Sequence, residues 1–132
     1  MQMMTMTQMV MQFHETYGTL ISTKPVLPDS NVRELRKKLL IEELEEYLEG
    51  EENNDIVEIA DALADLIYVA LGAAISYGIP IDAVFEEVQR SNMSKLGEDG
   101  KPIYRADGKV LKGPGFFEPD LAKIIRDHGG DV

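Results

Sequence analysis

Cysteine is absent from the 132 residues, and with it go disulfides, thiolate metal sites and a cysteine nucleophile; nothing points to an oxidising compartment. Positive charge is scarce. Thirteen Lys and Arg stand against 24 Asp and Glu, for a formal net charge of −11. That balance argues against nucleic acid as a partner, since its phosphates need a basic footprint. A small anionic ligand remains open, because divalent cations can sit between two sets of negative charge. Also lacking is an apolar stretch long enough and free enough of charge to span a bilayer; the longest, residues 66–75, is preceded by Asp61 and Asp65. Residues 1–10 carry no Lys or Arg and no apolar core of a leader, so they do not read as a signal peptide. Their Met- and Thr-rich composition suits a frayed end. The expectation is a cytoplasmic protein with no membrane partner. Internal repeats and coiled-coil heptads are missing too.

What is present fits one domain over residues 1–132, because a second would be too small to hold its own core. Hydrophobic residues make up 44% and charged residues 28%, a globular balance. Five helical segments can be drawn. The first covers residues 7–21, with Val10, Phe13, Tyr17 and Leu20 at helical spacing, and Pro25 and Pro28 form a stiff connector after it. Asp29 or Ser30 can cap a second segment that runs to Leu48 and stops at Gly50, with Leu35, Leu39, Leu40, Leu44 and Leu48 as its apolar face. A third covers residues 55–77, capped by Asn54 and ended by Gly78. Pro80 and Asp82 open a fourth with Val84, Phe85 and Val88 on its apolar side, and Pro119 opens a short fifth over residues 120–127. Between them, residues 97–118 form a glycine-rich loop with a small hairpin at Asp107-Gly108. A loop of that length in a small domain tends to be functional, and a lid is the expected role.

The third segment holds the most informative pattern. From Ile56 to Ile75 its only polar side chains are Glu58, Asp61, Asp65 and Tyr68, which at 100° per residue fall within about 80° of one another. A helix apolar on every other side is expected to be mostly buried. Its carboxylates would then be partly desolvated, at several kcal/mol per uncompensated charge. The second segment offers no cation to face them, for Arg33, Arg36, Lys37 and Lys38 lie in its first half and Glu42, Glu43, Glu45 and Glu46 near its end. A short turn makes the two segments antiparallel neighbours, so two acidic stripes face each other and repel unless protonated or bridged by metal. All-oxygen ligands suit Mg²⁺ or Mn²⁺. Glu45 and Glu49 read as solvated.

Glu42-Glu43-x-x-Glu46 followed by Glu58-x-x-Asp61 resembles the EExxE…ExxD signature of the MazG-like all-α NTP pyrophosphatases, a group that includes dimeric dUTPases and phosphoribosyl-ATP pyrophosphatases. The stretches Ser91-Asn92-Met93-Ser94-Lys95, Asp99-Gly100-Lys101-Pro102-Ile103 and Asp107-Gly108-Lys109-Val110-Leu111-Lys112-Gly113-Pro114 look like the small members of that group. The resemblance implies an antiparallel bundle of four to five helices, completed as a homodimer or homotetramer. It implies hydrolysis of a nucleoside triphosphate to the monophosphate and pyrophosphate in nucleotide-pool cleansing. Carried over by position, Glu43, Glu46, Glu58 and Asp61 would hold Mg²⁺, for which Mn²⁺ could substitute, and Glu42 would orient or deprotonate the attacking water. Asp65 would stand behind these ligands or, less readily, among them. Asn92, Lys95, Lys109 and Lys112 are candidates for phosphate contacts, with Lys101 and Arg105 beside them. Relatives place part of the base pocket on the first helix, where Phe13, His14 and Tyr17 stand. The other readings are phosphoribosyl-ATP hydrolysis, or a non-catalytic helical dimer that senses nucleotide or metal; retention of all five signature carboxylates argues against the last.

Overall fold

The computed structural model describes residues 3–132, and Met1 and Gln2 lie outside it. The chain is all-α: α1 (Met6–Tyr17), α2 (Ser30–Glu52), α3 (Ile56–Tyr77), α4 (Ile81–Met93) and α5 (Leu121–Asp127). Of the N-terminal segment expected to fray, the part from Thr5 onward is built into a helix start. The Thr5 hydroxyl accepts from the Gln8 amide while the Gln8 side chain reciprocates on the Thr5 amide. The first helix stops four residues earlier than its periodicity suggests. Gly18 takes a left-handed conformation, φ 68°, that ends the turn before the prolines are reached.

The long hairpin of α2 and α3 is the frame of the molecule, and α1 packs on α3. Two expectations fail at the hairpin's closed end. Helix α2 runs through Gly50 to Glu52, and the cap of α3 is Asp55, whose carboxylate accepts from the Val57 and Glu58 amides, rather than Asn54. Gly50 is buried because α3 crosses it closely: a Cβ there would come 3.0 Å from Ile59 Cγ1 and 3.1 Å from the Ile59 amide. The glycine serves the crossing rather than the helix end.

The expected burial of α2 and α3 is also only half realised. Leu35, Leu44 and Leu48 are exposed, and the side of α2 turned inward instead carries Arg36, Leu40, Glu43, Tyr47 and Gly50. On α3, Ala62, Gly72, Ala74, Ile75 and Ser76 are buried, whereas Ile56 and Val57 are each 74% exposed. By length and composition α3 could cross a membrane, with mean hydropathy 1.7 in its most apolar window. Its carboxylates instead mark a bundle helix with one polar side.

The connector after α1 is stitched to the end of α3 by hydrogen bonds from Ser22 Oγ to the Ser76 carbonyl (2.7 Å) and from Ser76 Oγ to the Leu20 carbonyl (2.9 Å). Beyond α4 the loop does hold the small hairpin: Tyr104 and Val110 form an antiparallel bridge around Gly108, φ 90°.

Candidate active site

The register of the hairpin decides which polar groups meet. Gly50 lies against Ile59, so two turns back along α2 bring Glu43 opposite Asp65, and two further turns bring Arg36 opposite Gly72. At the middle level, ligand oxygens of Glu43, Glu46 and Asp65 all lie within 4.8 Å of one another. Glu43 and Asp65 are half-buried and Glu46 is exposed.

Three carboxylates so close cannot all ionise cheaply. Burial first, then Glu46 and the charges of Asp65 and Asp61, push the Glu43 carboxyl from 4.5 to about 7. Asp65 is raised as well, by burial and then by the charges of Asp61 and Glu46. Glu43 Oε2 is buried with no hydrogen-bond partner. None of the ion pairs among the described residues reaches the cluster. An orphaned buried acceptor amid oxygens alone is what a hard divalent cation would satisfy.

Other carboxylates named from the sequence take different stations. Glu42 is exposed beside Glu43, free to face solvent. Glu58 sits at the level of Gly50, in the first turn of α3, and is outside the three-carboxylate group. Asp61 is exposed, one turn from Asp65, and acts on the cluster through its charge. Asp65 is therefore in the group rather than behind it. An antiparallel pair brings together residues equidistant from the crossing, and sequence spacing alone does not reveal where the crossing lies.

Next to the cluster stands an aromatic group. Tyr68, one turn beyond Asp65, meets Phe13 edge to face with ring centroids 5.7 Å apart, and Phe13 lies 4.6 Å from Tyr17. All three are open to solvent, Tyr17 at 70%. His14 points the opposite way. It is 2% exposed, its Nδ1 lies 3.1 Å from the Leu20 carbonyl, and burial holds its pKa below the usual 6.5. A ring so enclosed offers no edge to a base, unlike the Phe13, Tyr17 and Tyr68 rings, which are open to solvent.

Among the described residues, no tail cation forms an ion pair with the carboxylate cluster. Asn92 is exposed at the end of α4, and the Lys95 carbonyl accepts from the Gly113 amide at 2.9 Å. Lys112 Nζ sits 3.7 Å from Glu118 and over the Phe116 ring, and the Lys109 amide donates to Asp107 at 3.2 Å. The far end of the tail is tied to α4. Ser91 Oγ donates to the Phe117 carbonyl at 2.8 Å, and Glu87 binds Arg90 and the Asp120 amide, which together hold its carboxyl down to about 2. Glu87 went unnoticed in the sequence, as did the burial of Arg36. The available sign of the latter was an arginine one and two turns before Leu40 and Glu43 on a single helical stripe.

The profile of the phosphoribosyl-ATP pyrophosphohydrolase family matches residues 10–92, more than half of the chain, from α1 to the end of α4. No curated protein matches. Among solved structures, a candidate NTP pyrophosphohydrolase from Exiguobacterium sp. 255-15 is similar over 96% of each chain at 24% identity, with a TM-score of 0.51. At that identity the likeness speaks for the fold.

Proposed function

Because the chain belongs to the phosphoribosyl-ATP pyrophosphohydrolase family, we propose that it is a divalent-metal-dependent pyrophosphohydrolase that cleaves a (deoxy)nucleoside triphosphate to the monophosphate and pyrophosphate. The observation that carries this reading is the cluster of Glu43, Glu46 and Asp65 with its unpartnered buried oxygen. These three residues, with Asp61 and Glu58 on the adjoining turns of α3, would hold Mg²⁺ or Mn²⁺. Bound there, the cation would neutralise triphosphate oxygens and the charge that develops on the departing pyrophosphate.

The protein's own share is positioning and proton handling. Glu42, exposed at the rim of the cluster, takes the proton from the attacking water as its oxygen bonds to the α-phosphorus. The bond from that phosphorus to the oxygen bridging it to the β-phosphorus breaks, and the electron pair leaves with pyrophosphate. Phe13, Tyr17 and Tyr68 supply faces on which a base can stack beside the carboxylates. Asn92, Lys95, Lys109 and Lys112 reach the outer phosphates when the tail of residues 97–118 closes over the cleft of this chain or of a partner copy. The name of the matched family favours a second reading, in which the triphosphate is phosphoribosyl-ATP.

The decisive experiment is a pyrophosphate-release screen of canonical and damaged (d)NTPs and phosphoribosyl-ATP, with Mg²⁺ and after exhaustive EDTA treatment. Turnover is expected only with metal, and Glu46→Gln or Asp61→Asn should remove it while leaving helicity unchanged. Activity that survives EDTA, or either variant turning over at the wild-type rate, would sink the reading.

A further inference from the structure

Among the described residues Arg36 is the only buried Lys or Arg, 8% exposed, and the hydrolysis outlined above makes no use of it. Its Nη2 donates to the Val69 carbonyl at 2.9 Å, its Nε has no partner, and no carboxylate pairs with it. A guanidinium enclosed without a counter-charge is a poor source of stability, and a well-packed apolar side chain would serve the fold at least as well. Its surroundings suggest what it does serve. A Cβ on Gly72 would overlap Arg36 Nη2 and come within 3.1 Å of His14 Nε2. The guanidinium from α2 and the imidazole from α1 therefore rest side by side on the bare backbone of α3. His14 is held at its other nitrogen by the Leu20 carbonyl, so its ring cannot turn away. Phe13 is the next residue round α1, about 100° away, and it is the ring that meets Tyr68 one turn from Asp65.

We propose that Arg36 is a positioning residue for the nucleotide base. Seated between Val69, Gly72 and His14, it fixes the rotation of α1 against the hairpin, and so the separation between the Phe13–Tyr17–Tyr68 faces and the carboxylate cluster. Lysine could replace its charge but not the planar group that fills the space between two helices. The inference rests on the triphosphate chemistry proposed above.

The test separates base from phosphates. Wild type, Arg36→Lys and Gly72→Ala are titrated, with Mg²⁺ in excess, with the α,β-imido analogues of dUTP and ATP and with inorganic tripolyphosphate, which has no base. Wild type should bind at least one nucleotide analogue more tightly than tripolyphosphate. In both variants that analogue should weaken about tenfold, a modest fraction of what misplacing a contact by an ångström can cost, while tripolyphosphate stays within about twofold. In turnover the same change should appear in KM and not in kcat. Equal weakening of nucleotide and tripolyphosphate would reduce Arg36 to a structural residue, and an unchanged ratio would overturn the proposal outright. Should Arg36→Lys fail to fold, Gly72→Ala decides, since its methyl displaces the flexible end of the arginine and crowds the His14 ring, the two groups the proposal concerns, while raising helix propensity. Wild type binding neither kind of ligand would instead overturn the triphosphate reading itself.

Discussion

Glu43 shows what a single residue carries here. Its carboxyl titrates near 7 because it is desolvated and crowded by Glu46, Asp65 and Asp61. A folded-state value above the unfolded 4.5 means that the proton is bound more tightly in the folded chain. The resulting stability is present at low pH and is lost as pH rises from 4.5 to about 7. His14 acts in the opposite sense, since its lowered pKa makes stability fall as pH drops below 6.5. In EDTA, the difference in Tm between Glu43→Gln and wild type should therefore grow in favour of the variant from pH 5 to pH 8. Added Mg²⁺ should raise the wild-type Tm much more at pH 8 than at pH 5.5, where the Glu43 proton competes with the cation. A flat difference across that range would show that Glu43 is an ordinary carboxylate.

At the scale of elements the crossing of α2 and α3 sets the site. Gly50 puts the two helix axes close together, and the levels of Glu43–Asp65 and Arg36–Gly72 follow from it by whole turns. In a solvated helix, Gly→Ala stabilises by roughly 0.5–1 kcal/mol. At Gly50 the added methyl meets the Ile59 side chain and its backbone amide, which has nowhere to go. Gly50→Ala should thus lose on the order of 1–2 kcal/mol, read as a lower urea midpoint at unchanged slope. Metal affinity should fall with it as Glu43 and Asp65 move apart. A gain in stability would mean that the helices do not touch there.

The whole molecule is open for its size. It exposes 9533 Å², where a compact monomer of its 14.7 kDa exposes about 6,900 Å². Apolar side chains on the hairpin are part of it. Ile56, Leu63 and Ile67, exposed at 74%, 44% and 47%, sit about 140–180° round α3 from Glu58, on the side away from the carboxylates. Ile41, Leu44 and Leu48 are similarly bare on α2. Surfaces of that kind mark interaction sites, and a second copy of the hairpin would cover them by completing a bundle. Sedimentation should then give a dimer or tetramer, and Leu63→Glu combined with Ile67→Glu should reduce it towards 14.7 kDa with a lower, concentration-dependent Tm. A wild-type monomer of full activity would refute this.

The sequence by itself determined the helical class, the end of α3 at Gly78, and the acidic stripes. Each of these depends on period, composition or a local backbone preference, which are properties of neighbouring residues. It also made the pairing of α2 with α3 legible, because the turn between them is too short for any other arrangement. The tertiary structure alone decided which carboxylates meet. Asp65 rather than Glu58 faces Glu43, since the register sets Glu58 and Ile59 against Gly50, two turns along α2 from Glu43. It alone turned His14 inward, against Gly72 of α3 and beside Arg36 of α2, and left Phe13 open to solvent. And it left the Leu35, Leu44 and Leu48 side of α2 bare, because an amphipathic pattern says that a face wants cover but not whether its own chain provides it.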